Sequence, residues 1–107
     1  MNQADLVTLI GSVLTQLDTT LMSSDLQAQP AKWQQVYALR KHLDDEQRAL
    51  VQADIESDDA AFQASATLID TATEQLNQQI ADIAKIDSTI NIVSLIAASV
   101  DSILKSL

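Results

Sequence analysis

The chain has 107 residues, of which 47% are apolar, and its formal net charge is −9 because 15 acidic residues stand against 6 basic ones. This composition excludes a disordered chain, and the negative charge disfavours nucleic acids and anionic membranes, which attract Lys and Arg. The absence of Cys excludes disulfides and thiolate chemistry, and a single Gly leaves no glycine-rich phosphate loop or G-x-S-x-G turn for a nucleophile.

The first two predicted helices are separated by turn-forming residues. Apolar residues recur at intervals of three and four over about residues 4–24, which predicts the first helix. The Ser-Ser-Asp sequence at 23–25 suits a turn, and Pro30 suits the first position of a helix, where no backbone N–H is needed. A second helix is therefore predicted over about residues 31–54.

Three residues in these helices have packing interpretations. Gly11 is expected to allow close packing against a neighbouring helix, with a hinge as the alternative. Trp33 and Tyr37 lie one helical turn apart, and we expect them to anchor the second helix in the core rather than to form a stacking platform.

A seven-residue apolar repeat dominates the second half of the chain. A 3.5-residue spacing of this kind is typical of helices that wrap around one another, and it predicts a third helix over about 57–106, begun by N-cap chemistry at Ser57-Asp58-Asp59. We expect one continuous helix of about 50 residues, near 75 Å long; the alternative is a break near 87–88 that gives four helices. The repeat consists of Ile55, Phe62, Ile69, Leu76, Ile83, Ile90, Ala97 and Leu104.

The C-terminal part of this repeat is the best candidate for a partner-binding surface. For the stretch itself the favoured interpretation is an intramolecular core, and a homo-oligomer or partner seam is the second. Membrane contact comes last, because Asp101 would lie in the middle of the span. Gln79 falls in the same seam, where a polar residue can set register or oligomer order. The predicted partner-binding residues, here called the seam residues, are Ile90, Val93, Ala97, Val100 and Leu104.

An acidic run without a basic residue extends from Asp54 to Asp82. The favoured interpretation is that it solvates an exposed helix face and meets the basic second helix across a hairpin. The alternative is a dedicated site for a basic partner. The acidic run consists of Asp54, Glu56, Asp58, Asp59, Asp70, Glu74 and Asp82.

The candidates for metal chemistry are weak. His42 is the only histidine and has Asp45 and Glu46 at i+3 and i+4, but a two-helix metal site would need Glu-x-x-His pairs, which the chain lacks. A surface imidazole is the favoured interpretation. The acids at 54–59 lack the Gly and bidentate Glu of a calcium loop. We therefore expect no cofactor, no metal and no catalytic residue.

These observations predict a single all-α domain over residues 1–107, an antiparallel helical bundle with coiled-coil-like packing. The expected function is that of a non-enzymatic protein–protein interaction module (an adaptor, scaffold subunit or chaperone-like binder) that self-associates or binds a protein through the seam. The alternative is a small acidic inhibitor or immunity-type protein that blocks a basic site on a toxin or nuclease. No Sec-type signal opens the chain, so a cytoplasmic location is expected, with signal-less export left open.

Overall fold

The computed structural model describes residues 1–56 and 58–107, and it confirms the all-α prediction. The structure is 84% helical, and none of the described residues forms a strand. The helices are α1 (Gln3–Leu21), the one-turn α2 (Ser24–Gln27), α3 (Pro30–Gln52), α4 (Ala60–Gln79) and α5 (Ile86–Lys105), with a 3₁₀ turn at Ile83–Lys85 before α5.

Side-chain caps explain where two of the long helices begin. The Asn2 side chain accepts a hydrogen bond from the backbone of Asp5, whose carboxylate accepts one from the backbone of Asn2, so both ends of this capping box are satisfied. Asp59 caps α4 by accepting from the Phe62 N–H at 2.8 Å. Pro30 is at the start of α3, as predicted; Ser57, the other predicted cap, lies outside the described residues.

The prediction of one continuous third helix is wrong. The chain leaves the helix at Ile80, turns at Asp82, whose carboxylate accepts from the Ala84 N–H at 3.1 Å, and re-enters a helix at Ile86. The break lies before the alternative position at 87–88. A straight 50-residue helix would be near 75 Å, whereas the whole molecule is 44 Å long. Folding back lets the two halves of the apolar stripe cover each other.

Successive long helices reverse direction, which makes the molecule an antiparallel bundle. One hairpin joins α1 to α3: Val7 accepts from Gln47 near one end, and Leu21 accepts from the Trp33 indole N–H near the other. The second hairpin joins α4 to α5, and Gln79 bonds to Ser88 and Thr89 at its turn. Gln79 therefore bridges the end of α4 and the start of α5.

The two hairpins pack so that parallel helices meet across them. The start of α3 meets the start of α5 through the Lys32–Asp87 ion pair. The middle of α3 meets the later part of α5, since His42 approaches Asp101. In the same way α4 lies parallel to α1, with Gln16 donating to Asn77. Helices α3 and α4 therefore lie at opposite corners of the bundle.

A single aliphatic core lies between the four long helices. Each contributes fully buried side chains at helical spacing, and burial of Leu or Ile is worth about 1.5–3 kcal/mol per side chain. Gly11 is half-buried beside α3, where a Cβ would lie 3.2 Å from Nε2 of Gln47, the flexible end of a polar side chain. The largest buried side chains include Leu6, Ile10, Leu17, Leu43, Leu50, Ile69, Leu76 and Ile96.

Candidate functional site

The seam residues lie largely inside the bundle. Val93 is 1% exposed, Ala97 5% and Val100 not at all, while Ile90 and Leu104 are partly buried against the same core. The folded chain covers these side chains with its own α3 and α4, which agrees with the favoured interpretation of an intramolecular core. A second copy could reach only the edges of Ile90 and Leu104 without opening the bundle.

The aromatic pair occupies the outside of α3. Trp33 and Tyr37 stack with ring centroids 5.3 Å apart, and the Trp33 indole N–H donates to Leu21 at 2.9 Å. Trp33 is half-buried and fixes α3 against α1. The prediction that Tyr37 lies in the core is wrong, because its side chain is 46% exposed: it covers Trp33 from the solvent side.

The acidic run does not meet the basic helix. Each of its seven carboxylates is exposed, and none forms an ion pair with a described base. Arg40 and Arg48 instead pair with acids of α1 and of α3 itself, and Lys32 pairs with Asp87. The acids are solvated, as the favoured interpretation has it, but its second part, contact with the basic helix, is wrong because α3 packs against α1 and α5 rather than α4.

The charge is segregated by the way the helices pair. Helices α1 and α4 contain no Lys or Arg, and they lie side by side. All charged residues of these two helices are therefore acidic. Asp70 and Glu74 are one turn apart on α4, and Asp59 precedes them on nearly the same helical face, since 11 residues make about three turns. The result is a negative surface along α4, formed by Asp59 at its start and by Asp70 and Glu74 in its second half.

A second cluster lies on the opposite side, where α3 meets α5. His42 and Glu46 are one turn apart on α3, and α5 brings Asp101 between them. His42 Nε2 lies 3.5 Å from Glu46 Oε1 and 3.5 Å from Asp101 Oδ2, and the donor atoms of the three side chains are all within 4.8 Å of one another. The arrangement is called the His42–Glu46–Asp101 cluster below.

Glu46 differs from the other buried polar side chains of the described residues. Buried Thr20, Thr73 and Ser99 donate to backbone carbonyls four residues earlier, and Thr89 accepts from Gln79. Glu46 is only 4% exposed, yet neither of its oxygens accepts from an N–H or O–H of a described residue. An unpaired buried carboxylate is costly, so this position demands a proton or a cation.

Protonation of Glu46 is one way to avoid the cost of burying its charge. Burial is the main cause that raises the pKa of Glu46 to about 9, and a hydrogen bond with Asp101 and the negative charge of Asp101 add to it. That hydrogen bond lowers the pKa of Asp101, helped by His42 and Lys105 nearby. The raised pKa of Glu46 and the lowered pKa of Asp101 place the proton of this pair on Glu46.

The sequence indicated part of this cluster and missed the rest. The i+4 spacing of His42 and Glu46 was visible, as was the interruption of the apolar face of α3 by an acid. Asp101 lies far along the chain on the polar side of α5, and only the parallel packing of α3 and α5 joins it to His42. Asp45, which is also near His42 in sequence, is exposed and outside the cluster.

Other surfaces of the described residues offer little chemistry. An open groove of about 690 Å³ lies between the start of α1 and the end of α3, and no titratable side chain lines it. One segment, Ile83–Lys105, is long and apolar enough to span a membrane by length and composition, and in this structure its α5 part is the helix packed against α3 and α4.

No protein-family model, curated protein or solved structure matches the chain.

Proposed function

We propose that this protein is a non-enzymatic protein–protein interaction module that binds a basic surface of another protein through its acidic run. The observation that carries the proposal is the segregation of charge: seven exposed acids without a described ionic partner, beside two helices that contain no base. Such a surface attracts a cationic partner and speeds its encounter.

The apolar seam supports the proposal less well than the acidic run does. Three of the five seam residues are buried by the chain itself, so a folded partner finds little apolar area there. Self-association through the seam requires the two hairpins to separate or exchange. Light scattering at high protein concentration tests self-association through the seam. A monomer excludes the seam as an interface between copies, whereas a dimer that the Ile90→Asp substitution dissociates supports it.

Affinity capture from lysates of the cells that express the protein tests the acidic run. We expect the bound protein to be lost with Asp70→Asn/Glu74→Gln and to elute as salt is raised, since exposed charges are screened. The matched control is Asp25→Asn/Asp45→Asn, which removes the same charge from exposed positions outside the run. Equal capture by both double variants, or capture that salt leaves unchanged, contradicts the proposal.

A more specific form of the proposal is a small acidic inhibitor or immunity-type protein that blocks a basic site on a toxin or nuclease. The unneutralised acids favour it, because such a site normally receives an anionic substrate. The captured partner's own activity is the measurement. We expect inhibition at one chain per partner by the wild type and none by Asp70→Asn/Glu74→Gln; a partner that stays active while bound identifies an adaptor instead.

A further inference from the structure

The His42–Glu46–Asp101 cluster has the donor set of a metal centre and lies apart from the acidic run. It combines one imidazole nitrogen with two carboxylates, all from regular helices whose backbones are held by the core. Glu46 points into the cluster from the buried side and lacks any described hydrogen-bond donor. Once deprotonated, a carboxylate in this position offers lone pairs to a cation held between the three side chains.

The spacing of the donor atoms agrees with coordination of a single ion. Bonds of about 2.0–2.1 Å from a tetrahedral metal to N and O ligands place neighbouring ligands about 3.3 Å apart. Two of the three pairs in the cluster are 3.5 Å apart, and the third is within 4.8 Å. Small rotations of the Asp101 side chain, which is 38% exposed, are enough to close that pair.

The environment also suits an ion with open positions. Glu46 forms the buried base of the cluster, whereas His42 and Asp101 reach solvent, with side chains 52% and 38% exposed. An ion can therefore enter from water and keep water as a further ligand. A divalent ion balances the charge of the two carboxylates and displaces the proton that Glu46 otherwise holds.

We propose that His42, Glu46 and Asp101 bind one divalent first-row transition-metal ion, of which Zn²⁺ is the best fit, and so link α3 to α5. Imidazole nitrogen favours Zn²⁺ and its neighbours in the series, whereas Ca²⁺ and Mg²⁺ prefer sites made of oxygen alone. The site requires no further residue of the chain.

Calorimetric titration of the EDTA-stripped full chain with ZnCl₂ tests the proposal. We expect one saturable site per chain, a higher melting temperature with Zn²⁺, and no such site for CaCl₂ or MgCl₂. His42→Ala, Glu46→Gln and Asp101→Asn should each weaken binding at least tenfold. Asp45→Asn, which removes an exposed acid next to the cluster, should leave it unchanged.

Two further measurements make the result independent of folding defects and of weak surface binding. Circular dichroism of each variant checks that the bundle is intact, and because His42 is the only histidine its imidazole NMR signals report the site alone. Zn²⁺ should shift these signals in wild type but not in Glu46→Gln. Absence of a saturable site, equal affinity for Ca²⁺, or undiminished affinity in folded Glu46→Gln and Asp101→Asn overturns the proposal.

Discussion

Glu46 shows how an acidic side chain can be buried in a core that offers its carboxyl oxygens no hydrogen-bond donor. Its helix position is on the buried face of α3, where Leu43 and Leu50 fill the neighbouring turns. Desolvation favours the neutral acid, which then donates to Asp101 at the edge of the bundle. The position is compatible with folding because the proton removes the charge, and the free energy of unfolding must therefore depend on pH.

We predict that the metal-free protein, kept in EDTA, becomes less stable as pH rises from about 5 to about 9. The unfolded chain releases the Glu46 proton near the ordinary carboxyl pKa, whereas the folded chain keeps it up to a pKa of about 9. Above the unfolded pKa the folded state binds more protons, so its advantage is full at low pH and is lost as pH rises. The limiting slope is about 1.4 kcal/mol per pH unit.

Urea unfolding at a series of pH values measures this slope, with Glu46→Gln as the informative variant. The amide keeps the shape and can donate to Asp101 but does not titrate, so its stability should be nearly flat from pH 5 to 9. Asp45→Asn changes an exposed acid on the same helix and should keep the wild-type slope. A wild-type profile that is flat or rises over this window contradicts the assignment of the proton to Glu46.

At the scale of helices, the break between α4 and α5 shows that a helix can end without Gly or Pro. The described residues contain no positive φ, and Ile80 and Asp82 turn the chain with ordinary helical and extended backbone angles. The Asp82 carboxylate satisfies a free N–H at the start of the 3₁₀ turn. The reversal removes only a few residues from the helix. It lets the apolar faces of α4 and α5 bury each other.

Helix caps give a prediction at the same scale. Asp59→Ala removes the carboxylate that accepts from Phe62 N–H at the start of α4, and it should lower the free energy of unfolding by about 1 kcal/mol. Asp58→Ala removes an equal charge from the preceding exposed residue and should change it by no more than about 0.5 kcal/mol. Denaturant midpoints of the two variants provide the comparison; equal losses would show that charge, not the cap, is responsible.

For the bundle as a whole, α5 joins the two hairpins, since it packs against α4 of its own hairpin and against α3 of the other. Its apolar side faces a common core with them, and its polar side supplies Asp101 to the cluster. The same helix therefore links the second hairpin to the first. Damage to its buried face should unfold the molecule as a unit.

Adjacent positions on α5 test this role. Ile96 is fully buried and Leu95 is 48% exposed. Ile96→Ala should lower the free energy of unfolding by about 2–5 kcal/mol, because it removes buried methyl groups and leaves a cavity. Leu95→Ala should change it by about 0.5 kcal/mol or less. If thermal or urea unfolding shows similar losses for both, α5 does not pack as described.

Local sequence patterns predict the helical class, the positions of α1 and α3 within a few residues and the i+4 relation of His42 to Glu46. These follow from local periodicity, caps and Pro30, which act over one or two turns. The same patterns also suggest an unbroken third helix, because the phase of the stripe is the same for a long rod and for a hairpin folded on itself.

Which helices become neighbours depends on packing across the whole chain. Local spacing does not specify that α3 lies parallel to α5, or that the acidic run lies beside α1 rather than α3. Those pairings arise from the joint burial of all four apolar faces, and they bring Asp101 to Glu46 and segregate the charge. Both the cluster and the acidic surface are therefore consequences of packing between hairpins, which depends on the whole chain at once.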